Sequence, residues 1–206
     1  AEELYGKAIE LRRKLVADSP DAPEHNHSLA GGYTGLGSLL LDVGRHKESE
    51  RLLSDAVALS EELTSEHPEV PDYRERLGRC CYDLGRLLHA TGRHDEAEQS
   101  VRKAIKTTTQ LAGDSPDVPG YNRAASWYLA TCPCEDLRTP RKAVKLAKKA
   151  AESEPQAGES WKGLGLAQYR AGDFRESIEA LNKSLELNCA EQAASMFFLA
   201  TAHWKL

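Results

Sequence analysis

Apolar side chains recur along this chain at steps of three and four residues, the spacing of one face of an α-helix. One such run consists of Leu77, Cys81, Leu84, Gly85 and Leu88. It follows Pro71, which suits a first helical turn, and it precedes Gly92, where a helix would stop. We call this type of helix helix A.

A second run has the same period and comprises Ala97, Val101, Ala104, Ile105, Thr108 and Leu111. It ends at residues 113–116, where glycine and proline interrupt the chain, and we call it helix B. No sustained two-residue alternation of the kind that marks a strand is present. The pattern predicts an all-α protein of antiparallel A–B pairs, with about nine helices.

These pairs repeat with a fixed period of 48 residues. The period relates Pro20, Pro68 and Pro116, then Pro23, Pro71 and Pro119, then Ala8, Ala56 and Ala104. It also carries Leu36-Gly37 onto Leu84-Gly85, and the turn Gly44-Arg45-His46 onto Gly92-Arg93-His94. A single pair cannot bury its apolar stripe, so neighbouring pairs must stack and form an α-solenoid. Because His46 and His94 repeat, we interpret them as a turn signature and not as a general base.

The later part of the chain carries a more familiar pattern. Trp161, Leu164 and Gly165 form a W-x-x-L-G opening, and residues 172–174 form a Gly-Asp-Phe turn. Just before them stand Ala143, Ala147, Ala150 and Pro155. These positions resemble the tetratricopeptide repeat (TPR) family, and the resemblance implies a right-handed superhelix. Four positions depart from the pattern, namely Ser177, Leu181, Ser184 and Cys189.

The resemblance covers residues 1–206, which we interpret as a single solenoid and as a piece of a longer protein. An ordinary repeat is only about 34 residues long, whereas the period in this chain is 48 residues. In this respect residues 1–131 are similar to the long-helix repeats of kinesin light chains. Residues 132–206 are close to ordinary repeats and end in an unpaired helix.

A narrower likeness concerns three segments, H-P-x-V-P-x-Y at 67–73, L-A-T-C-P at 129–133 and F-F-L-A-T-A-H-W at 197–204. They resemble repeat tails of bacterial signalling proteins, often behind a serine/threonine kinase domain. The likeness implies an alternative function, a regulatory or substrate-recruiting region of a larger kinase.

The resemblance implies a scaffold whose concave groove, lined by the A helices, binds a peptide or protein. At 100° per residue one face of the second A helix carries Arg79, Tyr82, Arg86 and His89. The same positions one period earlier are Gly31, Thr34, Ser38 and Leu41, so this face varies while the core repeats. The equivalent face of the later repeat carries Lys162, Leu166, Tyr169 and Arg170.

The cations on this face predict a groove that prefers acidic peptides. The alternative is a solvated face with no binding role. Chaperone-tail binding is not supported, because Thr34 and Ser38 stand where the family's carboxylate clamp has lysine and asparagine.

Composition narrows the remaining possibilities. The net charge of −5 disfavours a nucleic-acid partner, and no apolar stretch approaches the roughly 18 residues of a membrane span. The five cysteines, an odd number in a chain with its own core, indicate a reducing compartment and therefore the cytoplasm.

Candidate chemistry is sparse. Cys132 and Cys134 form only one ligand pair, whereas structural zinc commonly uses two, so we expect no metal and no other cofactor. Cys81 is expected in the core and Cys80 at its flank. The sequence shows no nucleophile together with a base and an orienting group, so we expect that the chain is not an enzyme.

The last helix is apolar and has no helix B after it in this sequence. Its large side chains are Met196, Phe197, Phe198, Leu199 and Trp204. We expect weak homo-oligomerisation through this end or through the first helix.

Overall fold

The computed structural model describes residues 1–187 and 192–206, and all regular structure within them is helical. This part of the chain contains ten α-helices, one more than predicted, and one 3-10 helix. Contacts divide the chain into two compact units, Ala1–Leu111 and Ala112–Leu206. The predicted fold class, an all-α solenoid of antiparallel helix pairs, is confirmed.

The first unit is built from long helices. They are α1 (Glu2–Asp18), α2 (Pro23–Asp42), α3 (His46–Glu66), α4 (Pro71–Ala90) and α5 (His94–Asp114), whose last residues extend past the unit's boundary. Helix α2 packs against α1, α3 and α4, and α3 also packs against α4. Helices α2 and α4 are therefore A helices, and α1, α3 and α5 are B helices.

The second unit has shorter helices. They are α6 (Pro119–Thr131), α7 (Pro140–Ser153), α8 (Gly158–Ala171), α9 (Phe174–Glu186) and α10 (Gln192–Lys205), with the 3-10 helix at Glu135–Leu137. Each of these α-helices packs on the next one, and α8 also contacts α6 and α10. Cys189, one of the departures from the repeat pattern, lies outside the described residues.

Glycine marks the turns between paired helices. Gly44, Gly92 and Gly172 have φ angles of 78°, 80° and 84°, in the left-handed region that side chains disfavour. Each follows an A helix and reverses the chain into the B helix that packs on it, α3, α5 or α9. The repeated Gly-Arg-His signature is therefore a helix-ending turn, as predicted.

The Leu-Gly pairs mark the closest approach of A and B helices. A Cβ atom on Gly37 would lie 2.8 Å from Leu53 Cγ, and one on Gly85 would lie 2.5 Å from Val101 Cγ2. In the second unit a Cβ on Gly165 would lie 2.6 Å from Leu181 Cγ. The glycine is required because any side chain would push the two helices apart.

Serine at the equivalent B-helix position stabilises the same contact. Ser49 Oγ donates to the carbonyl of Gly37 at 2.7 Å, and Ser177 Oγ donates to the carbonyl of Gly165 at 2.7 Å. Ser177, one of the departures from the repeat pattern, therefore has its buried hydroxyl hydrogen-bonded, and the packing is preserved.

The arginine of each Gly-Arg-His turn connects successive B helices. Arg45 donates 2.7 Å hydrogen bonds to Glu48 on α3 and to Glu2 on α1. One period later Arg93 pairs with Glu96 on α5 and with Glu50 on α3. These pairings raise the pKa of both guanidinium groups.

Candidate functional site

The parallel A helices α2 and α4 meet along a seam of polar contacts. Cys80 Sγ lies 3.1 Å from Thr34 Oγ1, and Ser38 Oγ donates to Asp83 at 2.7 Å. Further along, Arg86 reaches Asp83 at 3.4 Å and Asp42 on α2 at 3.2 Å. The middle and C-terminal parts of the seam are therefore occupied by contacts within the chain.

The four residues predicted on α4 differ in accessibility. Arg79 is exposed and forms no ion pair within the described part of the chain. Tyr82 is buried at 5% exposure, so little of its side chain is accessible to a partner. A helical wheel does not show how a neighbouring helix covers a side chain, so this burial could not be predicted.

Arg86 and His89 are partly buried. The charge of Arg86 is balanced by Asp83 and Asp42, so Arg86 attracts an acidic partner less strongly than the sequence suggested. The ring of His89 lies edge-on to His94, with centroids 4.9 Å apart. Of the four predicted residues, Arg79 is exposed and has a charge with no ion-pair partner within residues 1–187 and 192–206.

Sequence reasoning missed Arg76, which lies one turn before Arg79 on α4. Its guanidinium covers Gly31 of α2, where an added Cβ would lie 3.3 Å from both Cζ and Nη2. Its Nε is shielded from solvent and has no hydrogen-bond partner among the described residues. The signal available in the sequence was the glycine inside α2, which leaves room for a large neighbour.

His27 of α2 lies beside this guanidinium. Its Nδ1 is also buried, without a hydrogen-bond partner in the part of the chain that the structure describes, and its ring faces Tyr73 of α4 at a centroid distance of 5.2 Å. Burial lowers the pKa of His27, and the positive charge of Arg76 lowers it further, while Asp72 opposes the shift. The imidazole is therefore held neutral at pH 7.

Most of the candidate groove residues in the second unit are shielded from solvent. Leu166 is 3% exposed and Lys162 is 8% exposed, with its ammonium 2.7 Å from Glu159. Tyr169 packs against Phe174 and Phe198 at centroid distances of 5.6 and 5.3 Å. Arg170 is exposed as expected. Helix α10 packs against α8, and its Phe198 ring covers part of Tyr169.

The cysteines have structural surroundings. Cys80 is fully buried between Thr34 and Ser60 and therefore belongs to the core. This corrects the prediction that it lies at the flank of the core. Cys81 is buried as expected, and desolvation raises its pKa to about 12. Among residues 1–187 and 192–206, no three or more histidine, cysteine or carboxylate side chains group in a way that could hold a metal.

The loop at Cys132 is closed by Arg138. Arg138 Nε donates to the carbonyl of Cys132 at 2.8 Å, and the Cys132 thiol donates to the carbonyl of Cys134 at 3.3 Å. Burial raises the pKa of Cys132 to about 11, which disfavours the thiolate that a metal would require. The Cys-Pro-Cys segment thus ends α6.

Both terminal helices expose apolar side chains. On α10 these are Met196, Phe197 and Trp204, whereas Phe198 and Leu199 are partly covered. On α1 they are Leu4, Leu11 and Leu15. As for membranes, none of the described helices is both long enough and apolar enough to serve as a span.

Comparison with known proteins supports the fold. Models of the tetratricopeptide repeat match residues 28–110 and the overlapping stretches 135–188 and 164–206. Among solved structures, TTC0263, a thermophilic TPR protein of Thermus thermophilus, has a TM-score of 0.70 at 18% identity. That similarity covers 97% of this chain and 91% of the other.

BtubC (BKLC) from P. vanneervenii is similar with a TM-score of 0.61 at 18% identity, covering 99% of this chain and 82% of the other. No curated protein matches. At so low an identity, the two structures show a common fold and do not carry a function to this chain.

Proposed function

The chain belongs to the tetratricopeptide repeat family, and we propose from this premise that it is a non-catalytic scaffold which binds a segment of a partner protein on α2 and α4. Repeats of this family generally mediate protein–protein interaction, and the fold is typically not catalytic. Partner binding on the A helices is what the family resemblance implies. The narrower likenesses to kinesin light chains and to kinase tails stay predictions, as does a cytoplasmic location.

The observation that supports this surface is Arg79. It is exposed on α4 without an ion pair among the described residues, while the neighbouring Arg86 is balanced by two carboxylates. An exposed arginine offers several N–H donors in a planar fork that suits a carboxylate. We therefore propose an acidic partner segment, which is the preference that the sequence predicts.

Selection of random peptides displayed on phage would test the proposal. Wild-type protein should enrich peptides that contain Asp or Glu, and these peptides should no longer bind Arg79→Glu. Arg175→Glu, which reverses an exposed charge on the B helix α9, is the matched control and should retain them. Failure to enrich any peptide, or equal binding to Arg79→Glu, would contradict the proposed function.

A further inference from the structure

We propose that the guanidinium of Arg76, lying over Gly31 and beside His27, is an anion subsite that receives one carboxylate of the bound segment. The inference rests on the proposed function and gives it a specific contact. It concerns the N-terminal part of the α2–α4 seam, where the contacts within the chain are incomplete.

Contacts within the described part of the chain leave Arg76 unsatisfied. Its Nε is buried and unpartnered, and no carboxylate of the described residues forms an ion pair with it. By contrast, Arg45, Arg86 and Arg93 each bind two carboxylates. The guanidinium therefore carries a charge that no described carboxylate balances, and because Arg76 is only partly buried, a carboxylate from outside the chain can reach its accessible part.

A histidine of α2 adds a second unsatisfied group next to Arg76. His27 Nδ1 is likewise buried and has no hydrogen-bond partner among the described residues. His27 lies one turn before Gly31 on α2. Its ring centroid is 5.2 Å from that of Tyr73, which lies one turn before Arg76 on α4. Two unsatisfied polar groups, one on each helix, thus meet at one place. A carboxylate has two acceptor oxygens and could accept hydrogen bonds from the guanidinium and from an imidazole N–H.

A glycine of α2 lies beneath the guanidinium. Inside a helix glycine is about 1 kcal/mol less favourable than alanine. At Gly31 a methyl group would lie only 3.3 Å from Cζ and Nη2 of Arg76 and 3.5 Å from Nη1. Glycine at this position therefore lets the guanidinium lie flat against α2, at the expense of helix stability.

The surroundings favour a single carboxylate over a polyanion. Asp72 and Glu75 are exposed neighbours of Arg76 on α4, so the attraction is local to the guanidinium. A nucleic acid would instead require a broad basic face. An Asp or Glu side chain of a peptide fits the chemistry of the site.

Nuclear magnetic resonance of the arginine Nε–Hε groups tests the subsite directly. The probe is a capped tetrapeptide with one glutamate among alanines, and its control replaces that glutamate with glutamine. The signal assigned to Arg76 by its loss in Arg76→Gln should move downfield with the glutamate peptide only. A signal that does not move, or that moves equally with both peptides, would overturn the subsite.

Two glycine variants separate positioning from folding. Gly31→Ala should keep the helix, since alanine is the better helix former, and should weaken the response by displacing the guanidinium. Gly163→Ala is the matched control, because a Cβ there meets nothing within 4 Å, and it should leave the response unchanged. An unchanged response in Gly31→Ala would overturn the role of the glycine.

The two proposals fail in different ways. If the peptides selected on wild-type protein lose affinity by about tenfold or more in Arg76→Gln, the subsite contributes to partner binding. If they bind Arg76→Gln unchanged but are lost in Arg79→Glu, the subsite is overturned and the proposed function stands. If no peptide is selected and the glutamate probe still shifts Arg76, the proposed function fails while the anion site stands.

Discussion

Replacing Gly85 by alanine tests the packing that defines each helix pair. The new Cβ would lie 2.5 Å from Val101 Cγ2 and 3.3 Å from both the Ala97 carbonyl oxygen and the Val101 nitrogen. Valine has little χ1 freedom inside a helix, and two of the three contacts are backbone atoms. The strain therefore cannot be relieved by rotating a side chain, and α4 and α5 must separate.

Two opposing effects set the change in the free energy of unfolding of Gly85→Ala. Overpacking a close contact costs about 1–3 kcal/mol, and alanine gains about 1 kcal/mol in helix propensity. Gly6→Ala provides the propensity term alone, because Gly6 is exposed within α1 and a Cβ there meets nothing within 4 Å. The free energy of unfolding of Gly85→Ala should therefore lie about 1–3 kcal/mol below that of Gly6→Ala.

Urea denaturation followed by circular dichroism at 222 nm, with the wild type and both variants run in parallel, measures this difference. The helical signal of the folded proteins should be nearly equal, so that the comparison reports stability and not loss of fold. Equal stabilities for Gly85→Ala and Gly6→Ala would refute the account of why glycine follows leucine in each repeat.

The remaining predictions concern charge, protonation, thiol reactivity and association. Arg93→Gln should lower the urea midpoint, and the loss should shrink at 1 M salt, because the ion pair with Glu50 is exposed and screened; equal losses at both salt concentrations would contradict this. His27 has a lowered pKa when folded, so the unfolded state binds more protons and stability should fall as the pH drops below about 6.5; His27→Gln should reduce that loss, as measured by urea midpoints between pH 7 and pH 5. Cys81, buried and with a pKa of about 12, should resist iodoacetamide at pH 8 in the native protein and react only on unfolding, as read by mass spectrometry of its tryptic peptide. Phe197→Ser should reduce weak self-association in sedimentation equilibrium, because this ring is 63% exposed on the last helix; a wild-type chain that stays monomeric at millimolar concentration would contradict the homo-oligomer.

The helices could be predicted from the sequence because the residues that begin, end and orient a helix are close together in the chain. The proline at the start of α4 and the glycine after its end set its limits, and the three- and four-residue spacing identified its core side. Leu77 and Leu88 are buried as that spacing required. The 48-residue period then repeated the same elements along the first unit.

The accessibility of the candidate site could not be predicted in the same way. Tyr82 and Leu166 share a helical face with exposed arginines, yet both are buried. Arg86 is paired with Asp42, which is 44 residues away in sequence and whose approach depends on how α2 and α4 pack. Spacing within one helix identifies which residues share a side, whereas the neighbouring helix decides which of them remain accessible.

Photo-crosslinking of a display-selected acidic peptide tests the central claim most directly. The peptide carries a benzophenone next to its acidic residue, and the attachment points are mapped by mass spectrometry after proteolysis. The account predicts attachment to α2 and α4 near Arg79, and loss of attachment in Arg79→Glu. Attachment mainly to α3, to α5 or to the second unit would contradict a binding surface on these A helices.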